Sequence, residues 1–232
     1  MKNVINILKY NFGKYHTGTS KILYLIGFAI LCISTLVTFT RIPGISKIMS
    51  LLDIAFISTF LGLNFIGSII RFARQISKEK GKLLFTFPVK SSEFLIAKIL
   101  EFIIIQAAIV LVAYIVPLIS GNSLADLIKI SSFAVMYGTI IAYVVIISLI
   151  VIVFSYISNM ALRGVAIIIG GSVVVGIVER VIEVLTNFFP YFYMKIGSFI
   201  EIDIIYSLLS LGWIISLIYV ATYHLNRKLD II

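Results

Sequence analysis

Apolar residues run along this chain in blocks too long for a soluble core. Residues 22–40 carry no charge, 49–72 carry only Asp53, and a third block runs over 94–119. Residues 130–162 form a charge-free stretch too long for one straight helix across a bilayer, a fifth block starts at Gly164, and a sixth covers 204–223. A hydrocarbon core of about 30 Å takes roughly 20 apolar helical residues. The pattern therefore predicts an all-α membrane protein with six transmembrane helices and both termini on one side.

Two segments do not fit simple spans. Val4, Leu8, Phe12 and Tyr15 recur at helical spacing, with Asn3, Asn6, Lys9 and Lys14 polar between them. This predicts an amphipathic helix over 1–20 lying in the inner interface; a fraying polar tail is the alternative. No cleavable signal is expected, because polar residues run to Lys21 and the first apolar block is long enough to span. In the fifth block, Glu179, Arg180 and Glu183 arrive about 22 Å after Gly164, before the core is fully crossed. The aromatic, proline-containing segment 187–203 follows. It reads as a re-entrant outer hairpin behind a short helix, or as an aromatic belt on an ordinary loop.

Composition agrees with lipid as the main solvent: 61% of the 232 residues are hydrophobic and 12% charged. The net charge of +9 is read as orientation against anionic lipid rather than as nucleic-acid binding. With the N-terminus inside, fourteen Lys and Arg fall on the inner side and four on the outer, with Arg180 in the fifth block. That bias places both termini in the cytoplasm of a multi-pass protein of the cell membrane. Cys32 is the single cysteine, so no internal disulfide forms.

The longest charged segment, 71–93, joins the second and third spans on the cytoplasmic side. Within it and just beyond, residues 78–98 read KEKGKLLFTFPVKSSEFLIAK. Five lysines and two glutamates surround the apolar knot Leu83, Leu84, Phe85, Thr86 and Phe87, which Pro88 closes. Ser91 or Ser92 is a natural N-cap for the next helix, and Glu93 suits its positive end. A short cytoplasmic helix with an apolar face lies on the bilayer or docks in a groove of another protein.

At Glu79, Gly81, Leu83 with Leu84, Pro88, Ser91 with Ser92, and Lys98, this segment resembles the cytoplasmic loop of the membrane subunits of ATP-binding-cassette exporters of the second type. The six-helix layout and the amphipathic N-terminal helix are similar too. The resemblance implies one transmembrane permease domain over 1–232, with a coupling helix between spans two and three seated in a separate ATPase subunit. Leu84, Phe85 and Phe87 are then its apolar anchors, and Glu79, Gly81, Leu83 and Pro88 belong to the docking motif. It also implies a second permease, an identical copy or a relative. ATP and magnesium are expected in the partner, because no G-x-x-x-x-G-K-[ST] phosphate loop occurs here. No cofactor and no catalytic residue are expected in this chain, which is read as a transport subunit rather than an enzyme. Few fixed charges line its spans, so the expected cargo is amphipathic or hydrophobic. Small permeases of this family include exporters of lantibiotics and of phenol-soluble modulins, and a cytolytic or antimicrobial peptide is the expected substrate; drugs and lipids are the alternatives.

An ionisable residue at a helix centre costs about 2.5–3.5 kcal/mol on insertion scales, so each needs an account. Asp53 is near the outer end of its span, where interfacial water reaches it. Glu101 either faces an inner cavity or pairs with a basic residue of the amphipathic helix, the pair being the favoured reading. Glu179 and Glu183 share a helical face, and Arg180 reaches Glu183 at i,i+3; this is an outer gate or a salt-bridged helix end. His16 and His224 are far apart in the chain and no metal set is visible. An ion-coupled carrier would need broken helices and midplane acids, and an intramembrane enzyme would need a nucleophile–base pair or an acid dyad. Both are the weaker readings.

Overall fold

The structure, a computed structural model, describes residues 2–12, 26–27, 29–30, 32–33, 36–37, 45–76, 90–120, 125–189, 192–196 and 200–228. The anchors and motif residues Glu79, Gly81, Leu83, Leu84, Phe85, Phe87 and Pro88 lie outside the described residues, and so does most of the expected first span.

The elements are α1 (Lys2–Tyr10), α2 (Ile45–Ile76), α3 (Ser91–Ser120), α4 (Ala125–Tyr156), α5 (Met160–Thr186), β1 (Tyr193–Ile196), β2 (Ile200–Asp203) and α6 (Ile204–Lys228). Among the described residues five helices, α2 to α6, are long and apolar enough to cross a membrane. Helices α2 and α4 have 32 residues each and α3 has 30. At 1.5 Å per residue they are about 45–48 Å long, roughly 15 Å more than a hydrocarbon core. Helices of this length either tilt or carry an end past the lipid tails, where polar residues are cheap.

The long fourth block divides where a side chain offers an alternative to the helix. Residues 157–159 leave the helical path, and Asn159 in extended conformation (φ −74°, ψ 126°) caps α5. Its side-chain oxygen accepts from the N–H groups of Ala161 and Leu162 at 2.9 and 3.5 Å. Arg163 fastens the break: its Nε donates to the Ile157 carbonyl at 2.6 Å, and its guanidinium lies 4.2 Å from the Phe154 ring centroid. Helix α5 thus begins four residues before Gly164. It runs unbroken through Glu179, Arg180 and Glu183 to Thr186, about 40 Å in all, so these charges do not end a short helix.

Beyond α5, strands β1 and β2 pair antiparallel with Tyr193 opposite Asp203 and Ile196 opposite Ile200. Part of the unusual segment 187–203 is therefore a small β-hairpin in an otherwise helical layout. Asp203 ends β2 and also caps α6, accepting from the N–H groups of Ile205 and Tyr206 at 2.9 and 3.2 Å.

The chain divides into two compact units. The first comprises Met1–Phe72 and Ser92–Tyr143. Ile57, Leu61 and Val110 form its apolar centre, with Ile54, Phe56, Ile109, Val112 and Met136 packed around them. Buried Gly27, helical, faces the Phe60 ring so closely that an added Cβ would overlap it. The second unit comprises Ala73–Ser91 and Val144–Ile232. There α4 buries Val144, Val145 and Ile147–Val151, and α6 buries Ser210, Leu217, Ala221 and Leu225 at near-helical spacing. Helix α5 is exposed along most of its length, with Ile182 buried. In lipid, apolar side chains gain little by leaving the tails for one another, so polar contacts carry much of the specificity of packing.

Candidate functional site

The first unit holds a row of polar side chains on the buried faces of three helices. On α2 the buried positions Asp53, Ile57, Leu61, Asn64, Ser68 and Phe72 recur every three or four residues, while Leu51, Leu52, Leu63, Ile66 and Ile70 on other faces are exposed. The outward positions are apolar, and the polar ones are turned in among apolar neighbours, the arrangement expected when polar groups line a protein interior or a wet cavity rather than meet lipid.

At one end of this row is a charged cluster. Glu101 is buried and its Oε2 accepts twice, from Lys98 Nζ at 2.8 Å and from Asn11 Nδ2 at 2.9 Å. Lys98 and Asn11 are buried as well. The i,i+3 spacing on α3 puts Lys98 and Glu101 on one face, so they neutralise each other before meeting any other helix. Asn11 comes from the turn that prolongs α1, and Asn3 Nδ2 likewise donates to Glu93 at 3.0 Å. Asn3 meets Glu93 and Asn11 meets Glu101, a constant offset along both segments, so α1 runs parallel to the first turns of α3. Its far face leaves Ile5 and Tyr10 exposed. Glu101 is ten residues beyond Ser91, about 15 Å along α3, which equals the surplus of this helix over the hydrocarbon thickness.

Arg71 joins the cluster from α2. Its Nη2 donates to Ser68 Oγ at 2.8 Å, and Ser68 Oγ in turn lies 3.4 Å from Asn64 Oδ1. A cavity of about 10 Å³ is lined by Ser68, Arg71, Lys98, Glu101, Phe102 and Tyr143, close to the space one water needs. The Phe102 and Tyr143 rings stack beside it, centroids 4.1 Å apart, with Phe65 edge-on to Phe102.

One to two turns further along each helix is a second, neutral cluster. Gln106 Nε2 donates to Thr139 Oγ1 at 3.2 Å and lies 3.4 Å from the Leu61 carbonyl. Gln106 Oε1 and the nearby Asn64 Nδ2 are buried with no hydrogen-bond partner. A buried orphan of this kind costs about 1–3 kcal/mol by mutational scales, so it calls for an explanation.

Of the residues singled out from the sequence, Glu101 is the one at this site. Its partners are Lys98 on its own helix and Asn11 of the N-terminal segment. Glu179, Arg180 and Glu183 belong to the second unit and stand on the exposed surface of α5, where Arg180 Nη1 donates to Glu183 Oε2 at 2.9 Å. Asn11, Asn64, Gln106 and Thr139 were not anticipated; the available signal was the recurrence of polar residues on one face of α2. Among the described residues, no three His, Cys, Asp or Glu side chains gather as a metal set.

Long apolar helices, with polar side chains turned inward, define a multi-pass membrane protein. No protein-family model, curated protein or solved structure matches the chain.

Proposed function

We propose that the chain is the membrane-spanning permease subunit of an ATP-driven exporter of the second ATP-binding-cassette type. It moves an amphipathic or hydrophobic cargo outward, by our reading a cytolytic or antimicrobial peptide, and it works as a pair with a second permease. The observation that carries this reading is the residue pattern from Glu79 to Lys98, in which an apolar knot closed by proline is set among lysines. Lysines alone would orient a loop; Phe85 and Phe87 need a groove. The termini and the 71–93 loop are assigned to the cytoplasmic side by their Lys and Arg content. Energy then comes from a separate ATPase that binds ATP and magnesium, with Leu83, Leu84, Phe85 and Phe87 seated in it.

The test is co-purification from native membranes, with the accompanying proteins identified by mass spectrometry. An ATPase subunit should accompany the wild type and be lost with Phe85→Asp. No ATP-binding protein in either sample would sink the assignment. A second reading, an ion-coupled carrier, draws on the buried Glu101 beside Lys98; proton- or sodium-driven flux into liposomes holding this chain alone would favour it.

A further inference from the structure

The polar row of the first unit changes character in the same order on all three helices. At the basic end are Arg71 and Ser68 on α2, Lys98 and Glu101 on α3, and Tyr143 on α4. One to two turns further are Asn64, Gln106 and Thr139. Beyond them the same faces carry an apolar layer, with Leu61 and Ile57, Val110, and Met136 packed together, and on α2 the buried Asp53 lies one turn past it. From Arg71 to Asn64 is seven residues, about 10 Å along α2, which brings the neutral cluster well inside the bilayer. The orphaned donor of Asn64 and the orphaned acceptor of Gln106 are at its blind end.

We infer that this row is a one-sided aqueous vestibule, open toward the basic end and sealed at the Leu61, Ile57 and Val110 plug. Water is its occupant. It supplies one acceptor to Asn64 Nδ2 and one donor to Gln106 Oε1, which the protein leaves unmet, and it hydrates Arg71 and the Tyr143 edge of the cavity. The stacked Phe102 and Tyr143 rings form the neck between the two levels. An apolar constriction of this kind closes by expelling water, so the vestibule brings solvent to mid-membrane from one side without a leak. The inference goes beyond the exporter reading and does not depend on an ATPase. It puts a wet route within a single chain, between α2, α3 and α4.

Thiol accessibility tests it, in native membrane vesicles of both orientations. In a Cys32→Ser background, cysteine is placed singly at Asn64, Thr139, Ile66 and Lys90. Each variant is challenged with a membrane-impermeant methanethiosulfonate reagent from either side. Ile66 is on α2 close to the depth of Asn64 but on an exposed face, and Lys90 is exposed just before α3, so it reports which side the basic end faces. Asn64→Cys and Thr139→Cys should react from the side that labels Lys90→Cys, and roughly tenfold or more faster than Ile66→Cys, whose thiol lipid holds protonated. Two positions on different helices guard against one variant that does not fold. Reactivity no greater than that of Ile66→Cys would make the row dry packing and overturn the inference. Labelling from the opposite side only would overturn the position of the plug. Neither outcome bears on whether an ATPase co-purifies.

Discussion

The Lys98–Glu101 pair offers a sharp test of how the first unit is held. Both side chains are buried, 5% and 6% exposed, and 2.8 Å apart. Lys98→Met strands a carboxylate and Glu101→Leu strands an ammonium, and removing one partner of a buried pair costs about 3–5 kcal/mol. Replacing both leaves no buried charge from the pair. What is left is the Asn11 amide deprived of its acceptor, worth about 1–3 kcal/mol. The double variant should therefore be no less stable than either single one, against a sum of singles of about 6–10 kcal/mol, a coupling of at least about 3 kcal/mol. Unfolding by sodium dodecyl sulfate in mixed micelles, followed by far-ultraviolet circular dichroism, gives the four stabilities of the cycle. An exposed pair would give single costs under about 1 kcal/mol. Additive losses, or single costs that small, would refute the claim that Glu101 is a buried structural carboxylate held by Lys98.

Two further expectations follow from local geometry. Gly27→Ala should lower stability by about 1–3 kcal/mol because its Cβ overlaps the Phe60 ring; Gly27→Ala with Phe60→Leu should lose less than the sum of the two, read from thermal unfolding in detergent. Asn159→Ala removes the cap on α5 and should cost about 1 kcal/mol, while Asn159→Gly costs a few tenths; equal losses in the same assay would deny the side chain its capping role.

Hydropathy made the helices legible because a span must satisfy its backbone internally, and long charge-free runs leave little alternative. It placed their ends less well. Helix α2 extends from Ile45 to Ile76 rather than over 49–72, since nothing obliges a helix to stop where lipid does. The start of α5 was hidden because an Asn in an apolar run reads as a weak polar residue, whereas its side-chain oxygen competes with the helix for two N–H groups. The buried site was harder still. Glu101 stood out by its charge, yet Asn11 is 90 residues from it, and Gln106 meets Leu61 and Thr139 across 45 and 33 residues. Neutral amides barely alter a hydropathy profile, and their meaning is in pairings that sequence spacing does not reveal. The i,i+3 relation of Arg180 to Glu183 was read from spacing, since both partners share one helix; Glu101 was expected to pair with a basic residue of the amphipathic helix and instead meets Lys98 on its own.

The parallel seating of α1 on α3 has a consequence for biosynthesis. Asn3 and Asn11 each find their carboxylate 90 residues later in the chain. At about 5–20 residues per second, α1 leaves the ribosome about 5–18 seconds before its partner turn exists. During that interval neither asparagine has the carboxylate that seats it. The two asparagines can therefore fasten this helix only once α3 has been made, which makes the docking of the most N-terminal element a late step in assembling the first unit.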